Sequence, residues 1–177
     1  NDTASSVQGI RLQYDPQKDT GFSGGVAYYR ALNDNFRVLS DEDLGLGGRG
    51  NDKASIWAIN AGYKFTPKAN LWANYANNVS ADRQKASWQA QFTYGDYQDA
   101  KQAGTWNIYA AYRKFAYGAT LAGTVSDDVM VGTKGWAIGG AYAPFKNVGL
   151  LVKYFRGKSI EGDADASRLF GRIEMFF

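Results

Sequence analysis

The chain has 177 residues, enough for one domain with a sizeable core, and its net charge of +3 gives no reason to invoke nucleic acid. It contains no cysteine and no histidine, which excludes a disulfide framework, thiolate or imidazole metal sites, and Ser-His or Cys-His catalysis. Aromatic residues make up 15% of it, with 12 Tyr, 10 Phe and 5 Trp, too many for a disordered chain.

No run of about 18 apolar residues occurs, so no membrane-spanning helix is expected. No leader-like segment is visible either, so the chain is expected to be cytoplasmic, mature, or a fragment whose start lies elsewhere. Period-2 alternation, the mark of a strand with two unlike faces, recurs along the chain.

Residues 7–14 and 22–32 are the first, less regular strand candidates, joined by the turn "DPQKDTG" (15–21). A long Gly- and Asp-rich connection follows at 33–53. Its "GLGGRG" (45–50) fits G-x-G-x-x-G formally, but an acidic stretch precedes it and a strand follows, so it reads as a loop. "IWAINAGYKF" is a clear strand: Trp57, Ile59, Ala61, Tyr63 and Phe65 alternate with Ala58, Asn60, Gly62 and Lys64. The turn "TPKAN" (66–70) leads to a less clean strand at 71–79. "ASWQAQFTY" sets Trp88, Ala90, Phe92 and Tyr94 against Ser87, Gln89, Gln91 and Thr93. "TWNIYAAYR" sets Trp106, Ile108, Ala110 and Tyr112 against Asn107, Tyr109, Ala111 and Arg113.

After a long connection at 114–134, "GWAIGGAYA" carries Trp136, Ile138, Gly140 and Tyr142 on one face. The turn "APFKN" (143–147) precedes "GLLVKYF", with Leu150, Val152 and Tyr154 opposite Leu151, Lys153 and Phe155. A third long connection (156–166) leads to "SRLFGRIEMFF", whose Leu169, Gly171, Ile173, Met175 and Phe177 oppose Arg168, Phe170, Arg172, Glu174 and Phe176. That makes nine strand candidates. Short and long connections mostly alternate, as in an up-and-down meander; 80–85 is shorter and 95–104 longer than the pattern asks. The acidic stretches "SDEDLG" and "EGDADAS" lack the spacing of a calcium loop and read as solvated loops, so no metal or other cofactor is expected.

Four strands carry Trp and Tyr six residues apart on one face: Trp57/Tyr63, Trp88/Tyr94, Trp106/Tyr112 and Trp136/Tyr142. Six residues span about 20 Å of strand, or roughly 15 Å of height at a tilt of about 40°. Between each pair lie only Ile, Ala, Phe or Gly. An apolar band rimmed by amphipathic aromatics suits a bilayer, and in lipid a sheet must close to satisfy its backbone. The expected fold is therefore all-β: a transmembrane antiparallel up-and-down β-barrel. A soluble sandwich fits less well, because its core needs aliphatics where this face has Ala and Gly.

The opposite face carries Asn60, Asn74, Gln89, Gln91 and Asn107 and suits a wet lumen. The expected pore-lining charges are Arg11, Arg30, Lys64, Arg113, Lys153, Arg168, Arg172 and Glu174, seven positive against one negative. Such a lumen prefers anions, unless acids on loops or other strands pair with it. Asp127 and Asp128 of the 114–134 connection are candidates for that pairing if the loop folds into the mouth; an external loop is the default expectation. An outer-membrane enzyme is not expected, since barrel hydrolases generally use a His base.

The closing strand resembles the carboxy-terminal signal of bacterial outer-membrane barrels, carried by Ile173, Met175 and Phe177, which implies the barrel insertion machinery as a partner. The motifs "GTWNIYAAYRKF", "GWAIGGAYAPFKN" and the closing strand resemble the carboxy-terminal barrel region of OmpM-like porins, over residues 54–177. The resemblance implies a bacterial outer-membrane location, contact with outer-membrane lipid and lipopolysaccharide, a barrel of about sixteen strands and a homo-trimer. The chain departs from that family in lacking an S-layer-homology domain and in having about half the strands. Residues 1–177 are thus expected to form one barrel domain of about 8–10 strands, alone or as the C-terminal half of a larger barrel. The expected function is passive diffusion of small hydrophilic solutes with a weak anion preference; the alternative is a small filled barrel with a structural or adhesive role.

Overall fold

The computed structural model describes residues 6–16, 18–32, 53–119 and 127–176. They form nine strands: β1 (Ser6–Tyr14), β2 (Gly21–Leu32), β3 (Lys53–Thr66), β4 (Ala69–Asn78), β5 (Ala86–Gly95), β6 (Trp106–Phe115), β7 (Thr133–Phe145), β8 (Val148–Ser159) and β9 (Asp165–Met175). Each pairs antiparallel with the next, in the order β1 to β9 without a crossover. The meander read from the alternation is therefore the fold. β1 and β9 are its two edges and are not paired to each other. Among the described residues no helix is long and apolar enough to cross a membrane. The "GLGGRG" and "SDEDLG" stretches and Phe177 lie outside the described residues.

Turn chemistry sets the short ends. In the β3–β4 turn Thr66 Oγ1 accepts from the amides of Lys68 and Ala69 at 3.2 and 3.0 Å. In the β7–β8 turn Asn147 takes φ 65°, a left-handed conformation that asparagine tolerates better than most residues. These tight turns sit at one end of the sheet, and the longer connections after β2, β6 and β8 sit at the other.

The register fixes the two faces. Trp57, Ile59, Tyr63, Trp136, Ile138, Tyr142, Val152, Leu169, Ile173 and Met175 all stand exposed on one, which we term the aromatic face. Leu169 is 72% exposed and Trp136 64%, whereas Ala137 and Phe155, directly across the sheet, are 0% exposed. Most of the large apolar groups therefore stand outside, and only a few, such as Phe155 and Phe115, are covered. A contiguous apolar surface of this size marks an interaction with something apolar.

The buried clusters lie on the second, polar face. Phe115, Val129, Ala137 and Phe155 form one with Ala111; Ala31, Ala54 and Ile56 form another. Val129 comes from the β6–β7 connection, so that loop covers part of this face.

Candidate functional site

The site grows from the polar face of β5, β6, β8 and β9. Alternation puts Tyr109, Ala111 and Arg113 on one face of β6, and the pairing sets Gln89 opposite Arg113 and Gln91 opposite Ala111. Arg113 is buried, and its Nη1 donates to both carboxylate oxygens of Asp128, at 2.8 and 2.9 Å. Its Nη2 donates to Gln91 Oε1 at 2.8 Å, and the Tyr109 hydroxyl donates to Asp128 Oδ2 at 2.8 Å. A fully buried carboxylate is costly unless it is paired and hydrogen-bonded, and Asp128 is both.

Its neighbour Asp127 meets the other wall. Lys153 Nζ on β8 lies 2.9 Å from Asp127 Oδ2, and Arg172 on β9 lies 3.6 Å from the same oxygen. Arg172 also pairs with Glu174 at 2.7 Å. The ammonium of Lys153 and the guanidinium of Arg172 both lie 5.7 Å from the ring centre of Phe170. The Lys153 hydrogen bond is the main cause that holds the Asp127 carboxyl below its ordinary value of 3.8.

The loop is stitched at its other end as well. A short 3-10 turn at Tyr117–Ala119 docks on the β4–β5 connection. Asn78, fully buried, accepts from the amides of Ser55 and Ser80 at 3.0 Å and donates to Gly118 O at 2.7 Å. Ser87 Oγ accepts from Ala116 N at 2.8 Å. Gly132, with φ 84°, presses against the Tyr117 ring where a Cβ would clash. The external course expected for this loop is therefore corrected: residues 116–119 and 127–132 lie against the polar face. The reason is electrostatic and steric together. The wall offers the buried Arg113, the half-buried Lys153 and an apolar seat for Val129, and the loop supplies carboxylates at matching positions. Residues 120–126 lie outside the described segment.

The pairing register places Arg11, Lys64, Arg113, Lys153, Arg168, Arg172 and Glu174 on the polar face. Arg30 does not join them. It is exposed on the aromatic face, opposite Gln8 and Ser55. In "VAYYRAL" two adjacent tyrosines leave the parity of β2 ambiguous by eye. The register settles it: Tyr28 sits opposite Trp57, their ring centres 4.6 Å apart, and Arg30 follows on the same face.

All eight predicted belt residues share the aromatic face. At the long-connection end, Trp88, Tyr112 and Trp136 form a chain of rings at 5.3 and 4.9 Å, with Trp57 tilted against Tyr28. At the short-turn end, Tyr63 meets Phe65 at 5.0 Å and Tyr94 meets Trp106 at 6.0 Å, with Tyr142 opposite Trp106. Ile173 and Met175 are exposed on that face.

Sequence reasoning missed three things here. Asn78 and Ser87 as loop staples carry no local signal, since both look like ordinary strand-end polar residues. Trp72 breaks the pattern of the other four tryptophans: opposite Gly62, it stands on the polar face.

A family model described as "Putative porin" matches residues 39–169, well over half of the chain. The chain belongs to that family. No curated protein matches it.

Proposed function

We propose that this chain builds the wall of a bacterial outer-membrane porin for passive diffusion of small hydrophilic solutes, with a weak preference for anions. The observation that carries this reading is the pairing of two unlike faces: an exposed apolar band between two aromatic rims, and a polar face crossed by a loop latched through Arg113–Asp128 and Lys153–Asp127. A band of that kind belongs in lipid, and there the β1 and β9 edges must be paired, with each other or through further strands. The loop narrows the space in front of the polar face, as a size filter requires.

The seven-to-one skew of the sequence overstates the lumen charge. Arg113, Lys153 and Arg172 are offset locally by Asp127, Asp128 and Glu174. Arg11, Lys64 and Arg168 have no ion pair with any described residue, and they supply the residual anion preference. Transport here is positioning and electrostatics, with no bond made or broken, in keeping with a non-enzymatic role.

The partners follow from the aromatic face. Lys114, Lys134 and Lys158 are cross-strand neighbours just beyond the Trp88–Tyr112–Trp136 rings. Like charges side by side on a sheet repel; Asp163, 3.3 Å from Lys134, offsets part of that repulsion, and the phosphates of lipopolysaccharide offset the rest at the outer leaflet. Ile173, Met175 and Phe177 serve as the closing signal for the insertion machinery, residues 1–177 act as one barrel domain, and three such barrels assemble as a homo-trimer.

The test is solute entry into liposomes carrying the refolded protein, using amino acids and small polyethylene glycols of graded size. Entry that falls steeply with size and does not saturate supports the reading. A folded protein whose liposomes admit none of them overturns it in favour of a filled, structural barrel.

A further inference from the structure

Away from the loop latch, the polar face of β2–β5 has a different chemistry. One cross-strand row runs Gly25, Asn60, Asn74, Gln89, with Gln13 of β1 opposite Gly25. The row beside it runs Ser23, Gly62, Trp72, Gln91. These rows form a belt of primary amides bordered by a single indole, with no formal charge among them. Arg11, one row away, donates to Gln13 Oε1 at 2.8 Å. The guanidinium of Arg113, at the far end of the amide row, is already offset by Asp128.

Some of these groups are engaged and some are not. Gln13 and Asn60 hydrogen-bond each other weakly, at 3.3 and 3.4 Å. Asn74, Gln89 and the Trp72 indole N–H make no hydrogen bond to any described residue. They are half-buried and face a concavity of about 710 Å³ bordered by Arg11, Asn60, Trp72, Asn74 and Gln89. That is the size of a small-ligand site.

An amide offers donors and an acceptor together, which suits a hydroxyl that must both give and take a hydrogen bond. An indole offers a large flat apolar face and one donor. A pyranose ring has the complementary surface: an apolar face of C–H groups ringed by hydroxyls. A charged solute gains nothing from this belt, and an apolar one leaves its amides unpaired.

We infer that the β2–β5 wall is a binding subsite for neutral sugars, with Trp72 as the stacking platform and Asn60, Asn74 and Gln89 as the hydroxyl-reading groups. It rests on the porin reading and deepens it: the wall slows and orients sugars within a pore that otherwise sieves by size.

The experiment is ion current through the protein in planar bilayers, with maltotriose as the probe. The expected result is concentration-dependent, saturable block. Trp72→Ala weakens the block roughly tenfold or more without lowering the open-pore current, and Asn74→Ala weakens it by a smaller factor. Trp106→Phe, on the aromatic face, leaves the block unchanged. A conducting protein that maltotriose does not block, or one whose block survives Trp72→Ala, overturns the subsite and leaves the porin reading standing. Tighter block by glucose 6-phosphate than by glucose overturns the assignment to neutral sugars. A protein that never conducts overturns the porin reading. In that case tryptophan fluorescence in detergent decides the subsite: maltotriose-dependent quenching lost in Trp72→Phe supports it, and unchanged emission overturns it.

Discussion

Asp128 is the residue on which the loop position turns. Its carboxylate is fully buried and has a guanidinium and a phenol as partners. Asp128→Asn keeps the shape and removes the charge, leaving Arg113 a buried cation without its counterion. Breaking such a pair costs about 3–5 kcal/mol. The expected outcome is a folded sheet with a loosened loop: protease cleavage between β6 and β7 speeds up, while resistance of the sheet to unfolding in detergent is retained. Asp127 gives a pH window. Its carboxyl is held below 3.8 by Lys153, so its contribution is complete above that value and is lost as pH falls through the still lower folded value. Channel currents should therefore hold steady from neutrality to about pH 4 and change only below it. A titration step between pH 5 and 7 would show that Asp127 does not govern the loop.

At the scale of the element, strands and loop differ in how much of them the sequence disclosed. The strands were legible because lipid-type and water-type faces alternate with a period of two, as in "IWAINAGYKF" and "TWNIYAAYR". Parity failed at Arg30, which follows two adjacent tyrosines; at Trp72 it gave little signal, because "NLWANYANN" has polar or small residues on both faces. Cross-strand register, which no single strand encodes, decided both. The course of the 116–132 loop was less legible still. Its acids were visible, but whether they meet cations depends on which walls stand opposite, and on Asn78, a polar residue no pattern singles out. Asn78→Ala strands the amides of Ser55 and Ser80 and the carbonyl of Gly118, each worth about 1–3 kcal/mol when buried unpaired. Thermal unfolding in detergent should move to clearly lower temperature, with increased noise in the open-channel current. An unchanged midpoint would mean the staple is dispensable.

For the whole molecule, the division of charge matters more than its sum. One part of the polar face is neutralised by the loop; the other keeps Arg11, Lys64 and Arg168 without a carboxylate partner among the described residues. Replacing a lumen cation with an acid, as in Lys64→Glu, should move the pore toward cations, with an effect that fades at high salt as the charge is screened. The same exchange at Arg30, on the aromatic face, should leave ion preference unchanged.

The measurement that tests the central claim most directly is the reversal potential of the purified protein in a planar bilayer under a salt gradient. The account predicts stepwise openings and a small potential of anion-preferring sign. A folded protein that produces no openings would contradict the claim that these strands wall a pore.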